Sequence, residues 1–538
     1  MTDRGKAYSV LTMNTLAFTV CFAVWMMNGV LITFLTENRI YTFDKAQIGW
    51  LMGIPVLTGS VIRLPVGLLT DRFGGRIVFA VVMLIAAAAT FALSYADSFM
   101  GFALGSLGFG IAGTTFAVGI AYTSIWFKSG QQGTALGIFG AGNAGSAITS
   151  LGGPLLLRWL TDGGAEPEKW RHFPKIYAAG LVAMTVLFLL GTHSKKVDEA
   201  SRKTLMEQLR PLKHLRVWRF GLYYFLVFGG FVALAQWLIP YYVSAYGMSL
   251  AMAGLLATIF NLPSGVIRAL GGWMSDKLGA RTTMFWVLGV CAVCCFLLIV
   301  PRMDITSPGE SVMAAESGEV TAVSKEKIVV GAKTYPLREK PAEAGAAKEG
   351  TLIWPTADFW QEPAVTVGEK VKRRQLLARG VTHIYFQANV WVFTILVFIV
   401  GIAMGIGKAA VYKFIPEYFP RDVGVVGGIV GVIGGLGGFV GPIIFGYLLR
   451  ETGLWTTCWM FFFVLSVACF LLLYMVARRL MAARAPLWSE KIEDHTHDDH
   501  HSPAAAQGAP SPALTGPGAL KAESLHRSSG RPALNGSD

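Results

Sequence analysis

Two stretches of the sequence decide the fold: IPVLTGSVIRLPVGLLTDRFGGR at residues 54–76 and FNLPSGVIRALGGWMSDKLGAR at residues 260–281. They match at a constant offset of 205 residues, which aligns Arg63 with Arg268. The same offset aligns Gly67 with Gly272, Asp71 with Asp276, Arg72 with Lys277, Gly74 with Gly279, and Arg76 with Arg281. The chain therefore contains an internal repeat.

A second matching pair lies further along the chain. WFKSGQQGTALGIFGAGNAG (126–145) is similar to YFPRDVGVVGGIVGVIGGLGG (418–438), at an offset of about 291. The offset grows by about 86 residues between the two pairs, so the second half contains one insertion. The polar segment 301–378 accounts for it.

The composition places the chain in a bilayer. Hydrophobic residues make up 53% of the 538 residues and charged residues only 15%, with a mean hydropathy of +0.51, which is too apolar for a soluble domain. Stretches of roughly 20 apolar residues, enough to span about 30 Å of hydrocarbon, recur near 10–36, 46–70, 77–97, 99–127, 131–157, 173–191, 219–246, 250–275, 281–300, 383–411, 423–449 and 455–478. We expect an all-α integral membrane protein with twelve transmembrane helices in two six-helix halves. The first stretch lacks a signal-peptide cleavage pattern and is expected to be a retained span.

The net charge of +13 does not indicate nucleic-acid binding, because the basic residues do not interleave with aromatics on a soluble domain. Eight of them lie in the central connection: Lys195, Lys196, Arg202, Lys203, Arg210, Lys213, Arg216 and Arg219. Cytoplasmic loops are enriched in such residues, whereas the loops near 98 and 247 have none. Both termini are therefore predicted to be cytoplasmic.

This reading divides the chain into an N-terminal half (8–191), a basic cytoplasmic linker (192–218) and a C-terminal half (219–478). The insertion 301–378, between helices 9 and 10, would be periplasmic and β-rich, because EKIVVGAKTYPL (326–337) and VTVGEKVKRRQLLA (365–378) are strand-like. The second piece faintly resembles lipoyl-type domains but lacks a lysine-bearing hairpin, so no cofactor is expected. The tail 479–538 is expected to be disordered in the cytoplasm.

Two minor features have simple interpretations. The run EDHTHDDHH (493–501) is favoured as a solvated polar segment over a weak metal-binding one. Cys291, Cys294 and Cys295 lie in an apolar helix, so we expect them to serve packing rather than a metal or redox site.

Arg63 and Arg268 are the candidate binding residues. An arginine near the centre of a membrane helix costs about 2.5–3.5 kcal/mol and should face a cavity and a partner. Arg63 lies about 12 Å before Asp71, at 1.5 Å per residue. No Asp or Glu is predicted in the middle of a span, so the natural counter-charge is a ligand, although bonding to backbone carbonyls remains the alternative. A guanidinium offers a planar fork that suits a flat oxyanion.

The loop pattern Gly-x-x-x-Asp-Arg/Lys-x-Gly-x-Arg, present at 67–76 and 272–281, resembles that of the major facilitator superfamily. The resemblance implies two halves related by an axis along the membrane normal, with the substrate site at the midplane. It also implies a cytoplasmic latch whose charges exchange partners as the halves rock. The latch residues would be Asp71, Arg72, Arg76, Asp276, Lys277 and Arg281; a turn with solvated charges is the alternative.

Glycine runs at 137–145 (GIFGAGNAG) and 427–441 (GGIVGVIGGLGGFVG) let helix backbones approach closely. Together with the arginine pair they resemble the nitrate/nitrite porter family over residues 8–478, apart from the insertion. That resemblance implies that Arg63 and Arg268 hold the anion. It further implies contributions from Gly137, Gly140, Gly142, Asn143, Gly145, Gly431, Gly434, Gly435, Gly437 and Gly438, and, by local pattern, from the aromatic residues Phe116, Tyr224 and Phe228.

We therefore expect a functional monomer in a bacterial inner membrane that transports nitrate and nitrite by alternating access. An empty carrier should resist closing because its two cations repel, which favours antiport. Nitrate/proton symport stays open, because His383, a bound water or nitrite itself could carry a proton. Transport of organic phosphates and a membrane sensor or docking role are weaker alternatives, and nothing in the sequence indicates an enzyme or a metal site.

Overall fold

The computed structural model describes residues 3–195, 209–300, 303–341, 356–386, 388–420 and 423–498. Twelve helical segments follow one another in this part of the chain. They are α1 (Asp3–Glu37), α2 (Lys45–Phe73), α3 (Gly75–Leu93), α4 (Phe99–Ser124), α5 (Ser129–Gly140 and Gly145–Leu160), α6 (Pro167–Gly191), α7 (Leu215–Tyr246), α8 (Leu250–Val266 and Arg268–Leu278), α9 (Ala280–Leu297), α10 (Val390–Tyr418), α11 (Val423–Thr452) and α12 (Thr457–Asp498).

These segments lie at the twelve predicted places, but they do not all qualify as spans by length and composition. Ten described helices do, and an eleventh does if the two bent pieces of α8 count as one span. Segment α5 is the exception: the 3-10 turn Ala141–Ala144 separates helices of 12 and 16 residues, each shorter than the roughly 20 residues that cross a bilayer.

The repeat is visible in the backbone of α2 and α8. Both helices are interrupted at matching residues, Ile62 and Ile267, so that Arg63 and Arg268 each begin the second helical piece. Pro65 removes one backbone hydrogen bond at the break in α2, because proline has no N–H to donate to the Val61 carbonyl, but the equivalent residue of α8 is Leu270. Segment α8 bends by 47° at its break.

The loops that follow α2 and α8 also share one conformation. Gly74 has φ 85° and ψ 145°, and its counterpart Gly279 has φ 84° and ψ 144°. A residue with a Cβ rarely adopts a positive φ of this kind. The glycine of the repeated loop pattern is therefore required by the turn.

Most of the two glycine runs serve packing inside each half. A Cβ at Gly142 would collide with the Phe18 ring of α1, and one at Gly434 would collide with the Tyr224 ring of α7. Gly145 and Gly437 likewise lie against the backbone oxygens of Thr19 and Phe225. The contacted residues of α1 and α7 correspond at an offset of 206 residues, and the glycines of α5 and α11 correspond at an offset of 292. Segment α5 therefore packs on α1 as α11 packs on α7.

The two halves meet along α2 with α11 and along α5 with α8. Gly49 lies against the Pro442 carbonyl of α11, and its repeat mate Gly254 lies against the Ser150 carbonyl of α5. Asn261 of α8 also donates a hydrogen bond of 2.7 Å to the Ser150 hydroxyl. Equivalent helices therefore form both contacts, as a two-fold arrangement requires.

The predicted β-rich insertion is present. Its strands are β1 (Met303–Met313), β2 (Gly318–Val323), β3 (Lys327–Val330), β4 (Lys333–Pro336), β5 (Thr356–Pro363), β6 (Lys370–Val371) and β7 (Leu376–Phe386). They form antiparallel sheets of order β1-β7-β5 and β4-β3-β2-β6 around a core that includes Ile328, Val330 and Leu377. The domain is longer than predicted, because β7 runs to Phe386 and α10 begins only at Val390.

His383 lies in β7 as a result, where it is buried beside the Trp360 ring. The expected tenth span, 383–411, was therefore wrong at its start. His383 belongs to the β domain and not to a membrane helix.

The end of the chain also differs from expectation. The chain divides into two compact units, Met1–Val476 and Ala477–Asp538, and α12 continues to Asp498, whereas a disordered segment was predicted from 479. The rest of the tail, including His500 and His501, lies outside the described residues, as do Lys196, Arg202 and Lys203 of the linker. All six cysteines are buried as free thiols.

Candidate functional site

Arg63 is buried and bridges the two halves. Only 3% of the residue is exposed. Its Nη1 donates a hydrogen bond of 2.9 Å to the Gly431 carbonyl of α11, and its Nη2 donates one of 3.2 Å to the Gly113 carbonyl of α4. Its Nε is buried without a partner among the described residues. The arginine thus uses part of its donor capacity on carbonyls and keeps its charge.

Arg268 reaches across in the opposite direction. It lies beside Gly140 of α5, where an added Cβ would sit 3.5 Å from the arginine Cδ and Nη1. Gly431 lies beside Arg63 in the same way, because an added Cβ at Gly431 would sit 3.3 Å from the Nη1 of Arg63. In the described part of the chain, Nη1 of Arg268 is buried without a hydrogen-bond partner. Each guanidinium therefore rests against the glycine run of the other half.

The two arginines share one aromatic ring. The Phe116 ring of α4 lies 5.6 Å from the guanidinium carbon of Arg63 and 5.6 Å from that of Arg268. It also stacks near Phe228 of α7, with 6.4 Å between ring centroids and 21° between planes. Of the predicted aromatic residues, Phe116 thus lies directly against the arginine pair, and Phe228 lies next to Phe116.

Tyr224 completes this aromatic group. Its ring stacks on Phe228 at 5.0 Å, and its hydroxyl is buried without a hydrogen-bond partner of acceptable geometry in the described chain. A buried hydroxyl without a partner is uncommon, because it has lost water without a replacement. The hydroxyl is available to donate to a ligand.

Asn143 is a second buried polar group without partners. Neither its amide nitrogen nor its amide oxygen has a hydrogen bond among the described residues. It lies in the 3-10 turn of α5, where its backbone packs against Gly265 of α8. The turn brings an amide close to the break that precedes Arg268.

The predicted glycines have different surroundings. Gly140 and Gly431 adjoin the arginines, whereas Gly142, Gly145, Gly434, Gly437 and Gly438 pack against α1 or α7. Gly435 lies against Ser60 of α2, and a Cβ at Gly137 would meet nothing within 4 Å. Most members of the runs therefore shape the helices around the site rather than line it.

Sequence reasoning missed two residues of α10, Lys408 and Tyr412. The Tyr412 ring lies 5.3 Å from the Arg268 guanidinium carbon, and its hydroxyl donates a hydrogen bond of 3.0 Å to the Gly427 carbonyl. Lys408 is completely buried and donates hydrogen bonds of 3.1 and 3.2 Å to the Ser264 carbonyl and hydroxyl. A lysine inside an apolar helix is a functional signal by itself, so Lys408 could have been found from GIAMGIGKAAVYKF (401–414).

The core of the helical bundle is therefore cationic. Arg63 and Lys408 are buried, and no aspartate or glutamate is among the buried residues of the described ranges. The expectation of two core cations was too low, since Lys408 is a third. Such a core can bind a small anion through charge, through a planar guanidinium fork and through unused N–H and O–H donors.

The predicted latch residues lie in the repeated loops, and their visible contacts stay within one half. Arg76 donates a hydrogen bond of 2.6 Å to the Leu189 carbonyl of α6. Asp276 pairs with Lys413 of α10 at 2.6 Å, and Arg281 donates to the Tyr418 hydroxyl at 3.3 Å. Arg72 and Lys277 lie over the rings of Phe73 and Trp273, and Asp71 also has a partner.

An ionic cluster joins three segments at the opposite end of the N-terminal half. Arg171, at the start of α6, contacts Asp97 at 2.6 Å and donates to the Ser94 carbonyl at 2.9 Å. The Tyr41 hydroxyl lies 3.3 Å from the same Asp97 carboxylate. The hydrogen bond from Arg171, together with its charge, lowers the pKa of Asp97 below its ordinary value of 3.8.

Comparisons with known proteins agree with this architecture. The Major Facilitator Superfamily profile matches residues 15–314 and 376–521, a gap that coincides with much of the β domain. Two solved transporters have the same fold, each with a TM-score of 0.55. One, a bacterial homolog of the human lysosomal transporter Spinster in an inward-facing and occupied conformation, is 14% identical and covers 86% of this chain and 96% of its own. The nucleoside transporter NupG is 13% identical, with coverages of 87% and 99%.

Curated relatives are more similar in sequence. A protein of Thermus thermophilus named probable nitrate/nitrite antiporter NarK1 is 35% identical over 487 residues, which cover 90% of this chain and 94% of the relative. The nitrite extrusion protein of Bacillus subtilis (strain 168) is 25% identical, with coverages of 93% and 99%. The chain is therefore a transporter and not an enzyme, and it belongs to the major facilitator superfamily and, within it, to the nitrate/nitrite porter family.

Proposed function

We propose that this protein exchanges nitrate for nitrite across the bacterial inner membrane by alternating access. One observation carries the proposal: Arg63 and Arg268 lie against a single Phe116 ring, and no buried carboxylate neutralises them in the described chain. A planar monovalent oxyanion fits this arrangement, because its edge can accept from a guanidinium while its face lies on an aromatic ring. The names of the relatives support the same substrates.

The anion would be held by charges and donors from both halves. Arg63 and Arg268 supply the charge, and Phe116 and Phe228 limit the thickness of the ligand. Asn143 supplies an amide that has no hydrogen-bond partner among the described residues, and Tyr224 supplies a hydroxyl that lies beside Arg268 and Tyr412. Because Gly140 and Gly431 bring each run close to the arginine of the other half, binding would draw the halves together around the anion.

Exchange follows from the same electrostatics. With the site empty, Arg63 and Arg268 repel each other across the interface between the halves, which opposes the closure needed for return. A bound anion lowers this repulsion, so reorientation is easier when the site is loaded. The resemblance of the chain to a named antiporter supports this coupling.

The proposed topology has both termini and the latch loops in the cytoplasm and the β domain in the periplasm, with a monomer as the transporting unit. The basic residues of the central linker support the orientation. The latch loops would let the halves rock by changing the partners of Asp71, Arg72, Arg76, Asp276, Lys277 and Arg281.

Counterflow in proteoliposomes tests the proposal. Vesicles loaded with nitrite should take up labelled nitrate without a proton gradient, and empty vesicles should take up little. Uptake that needs no internal nitrite but collapses without a pH gradient would instead identify proton symport. Competition by phosphate esters rather than by nitrite would identify an organic-phosphate transporter.

A further inference from the structure

Lys408 is a buried cation whose partners are all neutral. Its ammonium nitrogen lies 3.1 Å from the Ser264 carbonyl oxygen, 3.2 Å from the Ser264 hydroxyl and 3.2 Å from the centre of the Phe231 ring. Among the described residues no buried carboxylate neutralises it. Keeping an ammonium in an apolar core in this way is costly, so a role in packing alone does not account for Lys408.

The repeat shows where Lys408 lies relative to the site. Phe116 lies against Arg63 in the N-terminal half, and Tyr412 lies against Arg268, the repeat mate of Arg63, in the C-terminal half. Tyr412 is therefore the counterpart of Phe116. The position of Lys408 relative to the arginines follows from its distance to Tyr412 along α10.

The helix directions place Lys408 toward the end of the bundle that carries the β domain. Lys408 precedes Tyr412 by one turn on α10, which begins just after the β domain. Ser264 precedes Arg268 by one turn on α8, and Phe231 follows Phe228 by one turn on α7. One turn is about 5.4 Å. An anion that enters from the β-domain end therefore reaches the level of Lys408 before it reaches Tyr412.

The N-terminal half contributes an aromatic ring, Phe22, beside the Lys408 site. Phe231, which lies beneath the ammonium of Lys408, stacks on Phe22 of α1 with 6.4 Å between centroids and 15° between planes. The stack joins the two halves. Separation of the halves at this end would leave Phe231 with Phe260 of its own half as a ring partner and would make Lys408 accessible to an anion.

We propose that Lys408 forms a second subsite for the transported oxyanion, on the β-domain side of the arginine pair. This inference rests on the proposed function. The ammonium holds an entering anion about one helical turn before the level of Phe116 and Tyr412 and passes it to Arg63 and Arg268. In the closed state it returns to Ser264 and Phe231. The pathway is thereby asymmetric, because no lysine occupies the equivalent place in the N-terminal half.

Side-specific transport kinetics test this subsite. Right-side-out and inverted membrane vesicles present opposite faces, and antibody access to a tag on the β domain identifies each face. Lys408→Gln should raise the KM for nitrate entering from the β-domain face about 10-fold and leave the KM from the opposite face within about twofold. Lys408→Arg, which keeps a charge, should restore most of the affinity. The unchanged KM on the second face also shows that the variant is folded.

Two further variants sharpen the result. Ser264→Ala removes only the hydroxyl partner of the ammonium and should change either KM by less than about threefold. Lys175→Gln removes another lysine that lies over an aromatic ring, 5.3 Å from the centre of Tyr95, and should change neither KM. Equal changes on both faces, or no change, in Lys408→Gln would overturn the subsite while leaving nitrate/nitrite exchange intact. A wild-type protein that exchanges neither anion would overturn both proposals.

Discussion

The Arg63 guanidinium donates a hydrogen bond of 2.9 Å to the carbonyl oxygen of Gly431 and thereby connects α2 of one half to α11 of the other. A lysine at this position would keep the charge but lose the planar fork that reaches both this carbonyl and the Gly113 carbonyl. The link is therefore specific to arginine.

Arg63→Lys and Arg268→Lys should each lower the rate of nitrate/nitrite counterflow about 10- to 100-fold, the range expected for loss of a charge-assisted hydrogen bond. Thermal unfolding of Arg268→Lys should stay close to wild type, whereas Arg63→Lys should unfold at a somewhat lower temperature because it loses its carbonyl hydrogen bonds. Wild-type rates in both variants would contradict the arginine site.

Tyr224→Phe should weaken anion binding without weakening the fold. The hydroxyl is buried and has no well-formed hydrogen bond to lose, so the free energy of unfolding should be unchanged or slightly higher. We expect the KM for nitrite to rise about three- to tenfold. Tyr412→Phe is the contrast, because its hydroxyl bonds to Gly427 and its loss should lower thermal stability.

Gly437→Ala should destabilise the C-terminal half. The added Cβ would lie 2.5 Å from the Phe225 carbonyl oxygen, so α11 must move away from α7, at a cost of about 1–3 kcal/mol. Gly428→Ala is the matched control on the same helix, since a Cβ there meets nothing within 4 Å. Unfolding midpoints in detergent compare the two, and equal midpoints would show that α7 and α11 are not tightly packed at Gly437.

The cluster of Asp97 and Arg171 predicts a specific pH dependence. Because folding lowers the pKa of Asp97, the ion pair stabilises the protein at pH values above about 3.8 and loses its effect as the pH falls below that value. Wild type should therefore unfold at a higher temperature than Asp97→Asn at pH 7. The gap should narrow as the pH falls below about 3.8, and a gap that stayed constant there would show that hydrogen bonding, not charge, matters.

Removal of the whole β domain should leave transport intact. Met303 pairs with Phe386 across β1 and β7, so a short Gly/Ser linker can replace residues 303–386. Deleting only 301–378 would leave most of β7 without its partner β1 and should reduce protein yield. Loss of exchange in the complete deletion, with normal expression, would assign the domain a part in transport.

The sequence was sufficient for the overall fold because the repeat constrains it twice. Arg63 and Arg268 were found because two matching stretches place them at one depth, and the structure sets both against Phe116. Lys408 was missed for the converse reason: α4, the counterpart of α10, contains no lysine or arginine, so comparison of the halves does not highlight it.

Element boundaries were harder to predict where two physical signals overlap. Residues 379–386 are apolar enough to resemble the start of a membrane helix, but they complete a buried strand opposite β1. Residues 479–498 are polar enough to suggest a disordered tail, yet α12 continues through them. Composition cannot distinguish a buried strand from a helix start, because both are short and apolar.

The unneutralised cations of the core have an electrical consequence. Arginine stays charged in proteins, so the empty site adds at least two positive charges to the moving part of the molecule, and a bound monovalent anion cancels one. Moving one elementary charge across a membrane potential of 100 mV changes its energy by about 2.3 kcal/mol. An inside-negative voltage would therefore hold the empty carrier open toward the cytoplasm. One-for-one exchange of monovalent anions moves no net charge, so this voltage does not shift its equilibrium, although the loaded carrier keeps one positive charge and its rate responds to the voltage.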